Sequence, residues 1–501
     1  MKTSPATFCA ALAFVGSVSA FWRMPCRFQT GIGRIDPIVD PGAISAHVHS
    51  ITGSSGFSPT ADFESLTADG TCTACSVTQD HSAYWTPPLY FQYSNGTTVM
   101  VPQVGGMLAY YLYYLDNVKA FPEGFQMLAG YKSRRNFTGP AIDEPLSSWK
   151  TDATDNQYFL QQRALGFNCL NGDLNAPEPS LYRHELPSKE YMDEHCTWGL
   201  RLELAFPSCG NGDLDSADHQ SHMAYPSLVK QGNCPDGYDV HYPFLFYETI
   251  FATNVFAGED GEFVLSYGDP VGTGYHGDFI MGWESEEFLQ IALDTCQNPS
   301  GDIEDCPLFD IDEDAASKCK FDMPSNLKND DPIGPCDGLP VDVPIQYGPE
   351  EATNYPVAGQ NGKPTTGLEP TAAPSTFSHA TVTYSPADPE STKSAQGGIV
   401  VAKYSSGADA AIVAEATTSP AAPYAAEGAS SWGPSPAQVT SVPADPDKDG
   451  EYIATSWITR GNTVIEVFVT EVDVTVTATE TAPADAHWKR HMHRHRHHAN
   501  F

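Results

Sequence analysis

Phe244-Leu-Phe-Tyr-Glu-Thr-Ile-Phe251 begins directly after Pro243 and is almost entirely apolar, aromatic or β-branched. A run of this length and content suits a buried strand. Similar runs recur between turns rich in Gly, Pro, Asn and Asp, at residues 89–93, 98–102, 107–115, 200–206 and 263–267. Together they predict a mainly β fold: a single large, disulfide-bonded sandwich or jelly-roll-like domain with few helices. The best helical signal lies over residues 284–296, where Phe288, Leu289, Ile291, Ala292 and Cys296 share a face, and a weaker one over 153–163.

The flanks set the boundaries of that domain. Residues 1–20 combine Met1-Lys2, an apolar run over 8–15 and a small-residue Val18-Ser-Ala20 ending. They read as a secretory signal peptide, with a mature start at Phe21. No run approaches the roughly 20 apolar residues of a membrane span. Apart from Cys9 there are eleven cysteines, all between Cys26 and Cys336. In an oxidising compartment they predict disulfides with one thiol left over. Cys72-Thr-Ala-Cys75 has no second such pair and reads as structural rather than redox-active or zinc-binding. The disulfide-containing domain is therefore placed at 21–345, a size that allows a real core.

From about residue 346 to 450, Ala, Ser, Thr and Pro dominate, as expected for a disordered, extended stalk. Residues 451–480 alternate Val, Ile and Phe with Thr and Glu, which is strand periodicity, as either a hairpin or a β-prone tract. Residues 481–501 are basic and His-rich. A tract this dense in imidazoles can bind a divalent metal, though a basic tail that sticks to anionic wall polymer or to nothing is the favoured reading, and Lys489-Arg490 resembles a dibasic processing site. Asn95-Gly-Thr97 and Asn136-Phe-Thr138 are N-glycosylation acceptors. A net charge of −37 argues against a nucleic-acid or anionic-lipid partner bound through a basic surface.

Chemistry concentrates in polar loops. His47-Val-His49 has the spacing that places two imidazoles on one face of a strand, with Asp36 and Asp40 just upstream. Asp215-Ser-Ala-Asp-His-Gln-Ser-His-Met-Ala-Tyr-Pro226 follows a turn-rich segment and sets His219 three residues before His222. His47, His49, His219, His222 and His276 are the candidate ligands for Zn, Cu or Mn. Two other readings stand beside that one: a functional site without metal, and a hydrogen-bonded network that only stiffens loops. Asp218 and Asp278 are the candidate acid/base groups, with Asp269 a further carboxylate in a turn. His81, Tyr84, Trp85, His241 and Trp283 are candidate substrate contacts, and Tyr275 a further aromatic for sugar stacking. Such aromatics more often pack a core. A Gly-x-Ser-x-Gly elbow, a His-Glu-x-x-His motif and a phosphate-binding Gly-x-x-x-x-Gly-Lys-Ser/Thr loop are all missing. A start at Phe21 also argues against a copper site built on an N-terminal histidine.

Phe21-Trp-Arg-Met-Pro-Cys-Arg27, Arg34-Ile-Asp-Pro-Ile-Val-Asp-Pro-Gly42 and His47-Val-His-Ser50 resemble blocks of a family numbered nineteen ninety-six among domains of unknown function. Asp80-His-Ser-Ala-Tyr-Trp-Thr-Pro87, Phe206-Pro-Ser-Cys209, Asp218-His-Gln-Ser-His222, Cys234-Pro and His276-Gly-Asp-Phe-Ile-Met-Gly-Trp283 continue the resemblance, in order, to about residue 300. The resemblance implies a secreted or wall-associated fungal protein and supplies no catalytic residues. The functional expectation is a secreted fungal glycoprotein whose His/Asp site binds or acts on cell-wall or plant polysaccharide. The rival is a non-enzymatic, wall-associated structural, adhesion or stress-related protein.

Overall fold

The computed structural model describes residues 21–137, 156–171 and 178–357, together with the backbone of residues 412–413, 452–460 and 463–470. The expected signal peptide, most of the expected stalk and the His-rich end lie outside the described residues. Phe244–Phe251 is the central strand of a five-stranded antiparallel sheet, ordered Phe21–Cys26, Gln103–Leu112, Phe244–Phe251, Leu200–Ala205 and Leu165–Cys169. All eight of its residues are buried, because both faces of the sheet are covered. Leu245 and Tyr247 point into the main core, and Phe244 and Phe246 into a smaller cluster with Leu160 and Val229 on the opposite face.

A second five-stranded antiparallel sheet carries the candidate site. Its order is Gly31–Gly33, His49–Gly53, Ala83–Thr86, His276–Ile280 and Gln126–Gly130. A smaller sheet runs Gly261–Leu265, Leu89–Tyr93, Thr97–Met100 and Cys336–Asp337. The main core joins all three, with Tyr111 and Tyr247 from the first, Tyr84 and Phe279 from the second, and Phe91 and Leu265 from the third. Each such side chain removed from water contributes roughly 1.5–3 kcal/mol. The Tyr84 and Tyr247 rings meet at 5.7 Å, and the Tyr247 hydroxyl donates to the Asp278 carbonyl at 3.0 Å. This layered, mainly β architecture is the one expected from the alternating runs.

The two expected helices are present as Glu286–Thr295, capped by Ser285, and Gln157–Arg163, capped by Asn156. Two short helices without an apolar stripe, Lys189–His195 and Glu313–Lys318, carried no comparable signal. Ten cysteines form Cys26–Cys75, Cys72–Cys319, Cys169–Cys196, Cys209–Cys234 and Cys296–Cys306, and Cys336 is free. Cys72 and Cys75 thus take different partners. Asn95 and Asn136 are exposed. In the β-prone tract, Tyr452–Arg460 and Thr463–Thr470 pair as an antiparallel hairpin.

Candidate metal centre

The register of the second sheet assembles the centre. Ile51 pairs with Trp85, and Trp85 with Asp278. The strands His49–Gly53 and His276–Ile280 both run antiparallel to Ala83–Thr86, so they are parallel to each other. His49 lies two residues before Ile51, and His276 two before Asp278, so both imidazoles fall on one face at the same end. The strand between them stops at Thr86, before Pro87-Pro88, leaving that end free for the two rings.

His47 enters from the segment just before its strand. Its ring centroid lies 4.4 Å from that of His49 and 5.3 Å from that of His276. Asp36 arrives on the turn after Gly31–Gly33, where its Oδ1 accepts from Ile38 N at 3.1 Å and Val39 N at 3.0 Å. Asp36, His47, His49, His276 and Asp278 are all at most 3% exposed. One nitrogen from each of the three histidines lies within 4.8 Å of the others, and the same holds for one ligand atom each of Asp36, His49 and Asp278.

Hydrogen bonds fix which atoms face inward. His49 Nδ1 donates to the Ile35 carbonyl at 3.1 Å, and His276 Nδ1 to the Gly274 carbonyl at 3.0 Å. A carbonyl only accepts, so each ring presents a bare Nε2 to the centre. His49 Nε2 has no protein partner, and neither carboxylate oxygen of Asp278 has one. Burial, with the neighbouring charge of Asp36, pushes the Asp278 carboxyl well above its usual range. Burial also raises Asp36, despite the Val39 and Ile38 amides. It holds His47 and His276 well below the usual imidazole value and brings His49 down to about 3. The side chains therefore rest as neutral imidazoles beside carboxyl groups that resist ionisation, which is what desolvation does to a ligand set without its cation.

His47 Nε2 and His276 Nε2 are 3.2 Å apart. Two imidazole nitrogens bound to one ion at 2.0–2.1 Å, in tetrahedral or octahedral angles, stand about 2.9–3.4 Å apart. The separation fits a pair of ligands to a shared ion. A buried, all-nitrogen-and-oxygen donor set of this kind suits a divalent transition ion.

Tyr267 and Asp269 support His276. The Tyr267 ring packs 4.7 Å from the His276 ring, and its hydroxyl donates to Asp269 Oδ2 at 3.0 Å. Asp269 Oδ1 accepts from Val271 N and Gly272 N, and Oδ2 from Gly274 N, shaping the loop that leads into His276. Arg135 faces Asp269 at 3.6 Å and lies over the Tyr267 ring.

Of the five ligands expected from sequence, the structure brings together His47, His49 and His276. His219 and His222 sit in a loop along the outer edge of Gln126–Gly130, with that strand between them and His276. There His219 Nδ1 pairs with Asp215, and His222 bridges Ser216 and the Gln126 carbonyl. Asp218 binds Ser216, Gln220 N and Ser221 N. Burial alone would raise its carboxyl, but these bonds, led by Ser221 N, hold it below its usual value. Asp278 lies in the centre, Asp269 beside it.

Among the candidate substrate contacts, Tyr84 and Trp283 are fully buried and join through Tyr111, whose hydroxyl meets both, while Trp85 packs on Phe57. Their ring faces are covered by protein. His241 caps the Asp116 carbonyl near the surface, and His81 is half-buried beside Gly282. Asp36 was visible in sequence only as a carboxylate near the His pair. Tyr267 and Arg135 carried no signal, since their role depends on a fold-back of more than 130 residues.

Comparison with curated proteins and with solved structures returned no match. Residues 36–283, which hold all five clustered side chains, match the model of the domain of unknown function DUF1996, and this part of the chain belongs to that family.

Proposed function

We propose that the domain is a metalloprotein that holds one divalent transition ion through His47, His49, His276 and Asp278, with Asp36 completing the set, and that it binds or acts on cell-wall or plant polysaccharide outside the cell. The observation that carries the metal reading is the convergence of buried ligand atoms: His49 Nε2 and both Asp278 oxygens, which have no protein partner, and the His47 and His276 Nε2 atoms, which meet each other at 3.2 Å. Bound there, a divalent ion would supply a Lewis acid. The chain's own contribution is to fix the imidazole tautomers through Ile35 and Gly274 and to exclude bulk water. Five disulfides support an extracellular setting, in keeping with the signal peptide expected at residues 1–20.

One observation favours a second reading. All five side chains are at most 3% exposed, as in closed structural metal sites, which would suit a non-enzymatic wall-associated protein. Elemental analysis of the secreted chain, compared with His47→Ala/His276→Ala, tests the metal directly. The difference should be close to one ion per chain, with any ion on the His-rich end common to both samples. Equal metal in the two proteins would refute the centre. A screen of wild type against wall polysaccharides then separates product release from binding without turnover.

A further inference from the structure

Three stretches of chain meet at the end of the second sheet where the imidazoles gather. Gly33 pairs with His49 and Gly130 with His276, so the turns that follow these glycines both lie at that end. The first turn carries Asp36 and Asp40. The second, residues 131–135, carries Lys132, whose charge, after burial, acts on Asp36, Asp278 and all three histidines of the centre. The third stretch is the loop through Gly268 that leads into His276.

Residues 346–355, beyond the family match, cross these stretches. Gln346 N donates to the Gly268 carbonyl at 2.9 Å, and Arg135 Nε to the Gln346 carbonyl at 2.8 Å. Ala352 N donates to the Ser133 carbonyl at 2.7 Å, and the Tyr131 hydroxyl to Glu351 Oε2 at 2.9 Å. Gly348 presses on Arg135 so closely that a Cβ there would lie 2.8 Å from Arg135 Cβ. Tyr355 then packs on the cluster of Tyr90, Val264, Leu339 and Val343. Burial raises its hydroxyl, and the charges of Arg135 and Asp40 act on it as well, which sets it between the second turn and the first.

One side chain holds this segment in shape. Gln346 Oε1 accepts from Thr353 N at 2.9 Å and from Thr353 Oγ1 at 3.1 Å, and its Nε2 donates to the Thr353 carbonyl at 3.0 Å. The clasp closes residues 346–353 into a loop whose ends meet. Beneath it lies one layer of protein. Arg135 binds Gln346 above and lies over the Tyr267 ring below, and that ring packs 4.7 Å from His276 and 5.6 Å from His47. Tyr347, Glu350, Glu351, Thr353 and Asn354 are exposed, so the segment is held mainly by hydrogen bonds at the surface. Segments held in that way open locally while the rest of a domain stays folded.

We propose that residues 346–355 are a releasable cover over the metal centre: latched, they seal the ligands from solvent, and unlatching at Gln346 and Thr353 opens the route by which an ion and a substrate reach them. The proposal rests on the metal reading above and adds what controls access to that site. It also reconciles the sealed donors with a reactive role, because exposure belongs to the unlatched state.

The test labels histidines with diethylpyrocarbonate in the chelated full chain near neutral pH. Peptide mapping reads each site, so the His-rich end is scored separately. Gln346→Ala/Thr353→Ala removes the clasp, and Tyr355→Ser removes the anchor at the far end. Each should speed labelling of His47, His49 and His276 about tenfold or more, with the His-rich end unchanged. His184, fully buried and bonded to the Leu165 carbonyl on the first sheet, should keep its wild-type rate. Wild-type rates at the three histidines of the centre in both variants would overturn the proposal. So would equal acceleration at His184, which would mean a general loosening of the fold. Metal exchange gives a second readout, with His47→Ala/His276→Ala as the blank for ions on the His-rich end. Releasing a cover speeds uptake and release alike and leaves the affinity nearly unchanged. Weaker affinity with an unchanged uptake rate would make the segment a support for His276 and overturn the cover. A wild-type chain that takes up no ion at the centre would sink the metal reading, and the labelling rates would then decide the cover alone.

Discussion

Replacing Asp278 with asparagine should have opposite effects on stability with and without metal. In the chelated protein both Asp278 oxygens are buried without a partner, and burial already pushes its carboxyl well above the usual range. An unsatisfied buried polar group costs about 1–3 kcal/mol, and more when charged. Asparagine has the same shape and cannot ionise, so Asp278→Asn should stabilise the chelated protein by about 1–2 kcal/mol at neutral pH. With metal present the order reverses. A native-state ligand at a hundred times its Kd adds about 2.7 kcal/mol, most of which the variant should lose. The assay is urea unfolding of both proteins, disulfides intact, in chelator and again in excess zinc or manganese. Destabilisation in chelator would show that the carboxylate has a structural role. An undiminished metal-induced gain in the variant would show that Asp278 is not a ligand.

Three further outcomes follow from the same geometry. His49 takes a proton near pH 6.5 when unfolded but only at about 3 when folded, so its contribution to stability is present above pH 6.5 and is lost as pH falls. Between pH 7 and 5 this amounts to about 2 kcal/mol, and the pH dependence of the chelated His49→Gln variant should be flatter by that amount in urea unfolding. A raised Asp278 works in the opposite direction, which is why the variant is needed to isolate the imidazole. Asp269→Asn leaves every proposed ligand in place but loosens the loop before His276, so metal affinity measured by competition with a chelating dye should fall about 10–100-fold; unchanged affinity would mean the loop holds itself. Mature, unreduced protein should accept one maleimide per chain in denaturant, at Cys336, and more than one would contradict the five pairings.

The fold was legible where strands are buried on one or both faces, because period and composition then speak together. Phe244–Phe251 and Leu200–Ala205 are found within a residue of their sequence runs. Gly31–Gly33 and Cys209–Gly210 are too short to have a period, and tertiary pairing alone makes them strands. For the site, the i, i+2 spacing of His47 and His49 was informative because it reports local geometry. His219 and His222 have a comparable density of donors, yet Asp215 takes His219 Nδ1, and Ser216 and the Gln126 carbonyl take both nitrogens of His222. Sequence shows which donors exist and not which are already engaged. Asp36 and Asp278 lie 242 positions apart, and only the register across the second sheet brings both to His49.

The disulfide pattern bears on how the chain is made. Cys26–Cys75 spans 49 residues, whereas Cys72–Cys319 spans 247. Synthesis runs from the N-terminus, so Cys26, Cys72 and Cys75 are all made long before Cys319. Cys26 can close on either nearby thiol at almost equal loop-closure cost, since loops of 46 and 49 residues differ negligibly in entropy. The correct choice must therefore come from early packing of Phe21–Cys26 or from later thiol–disulfide exchange, and Cys72 reaches its native partner only when the last tenth of the domain has been made. The bond that ties Cys319 back to residue 72 can thus form only once most of the disulfide-containing domain has been made, and a chain stalled before residue 319 leaves Cys72 without its native partner.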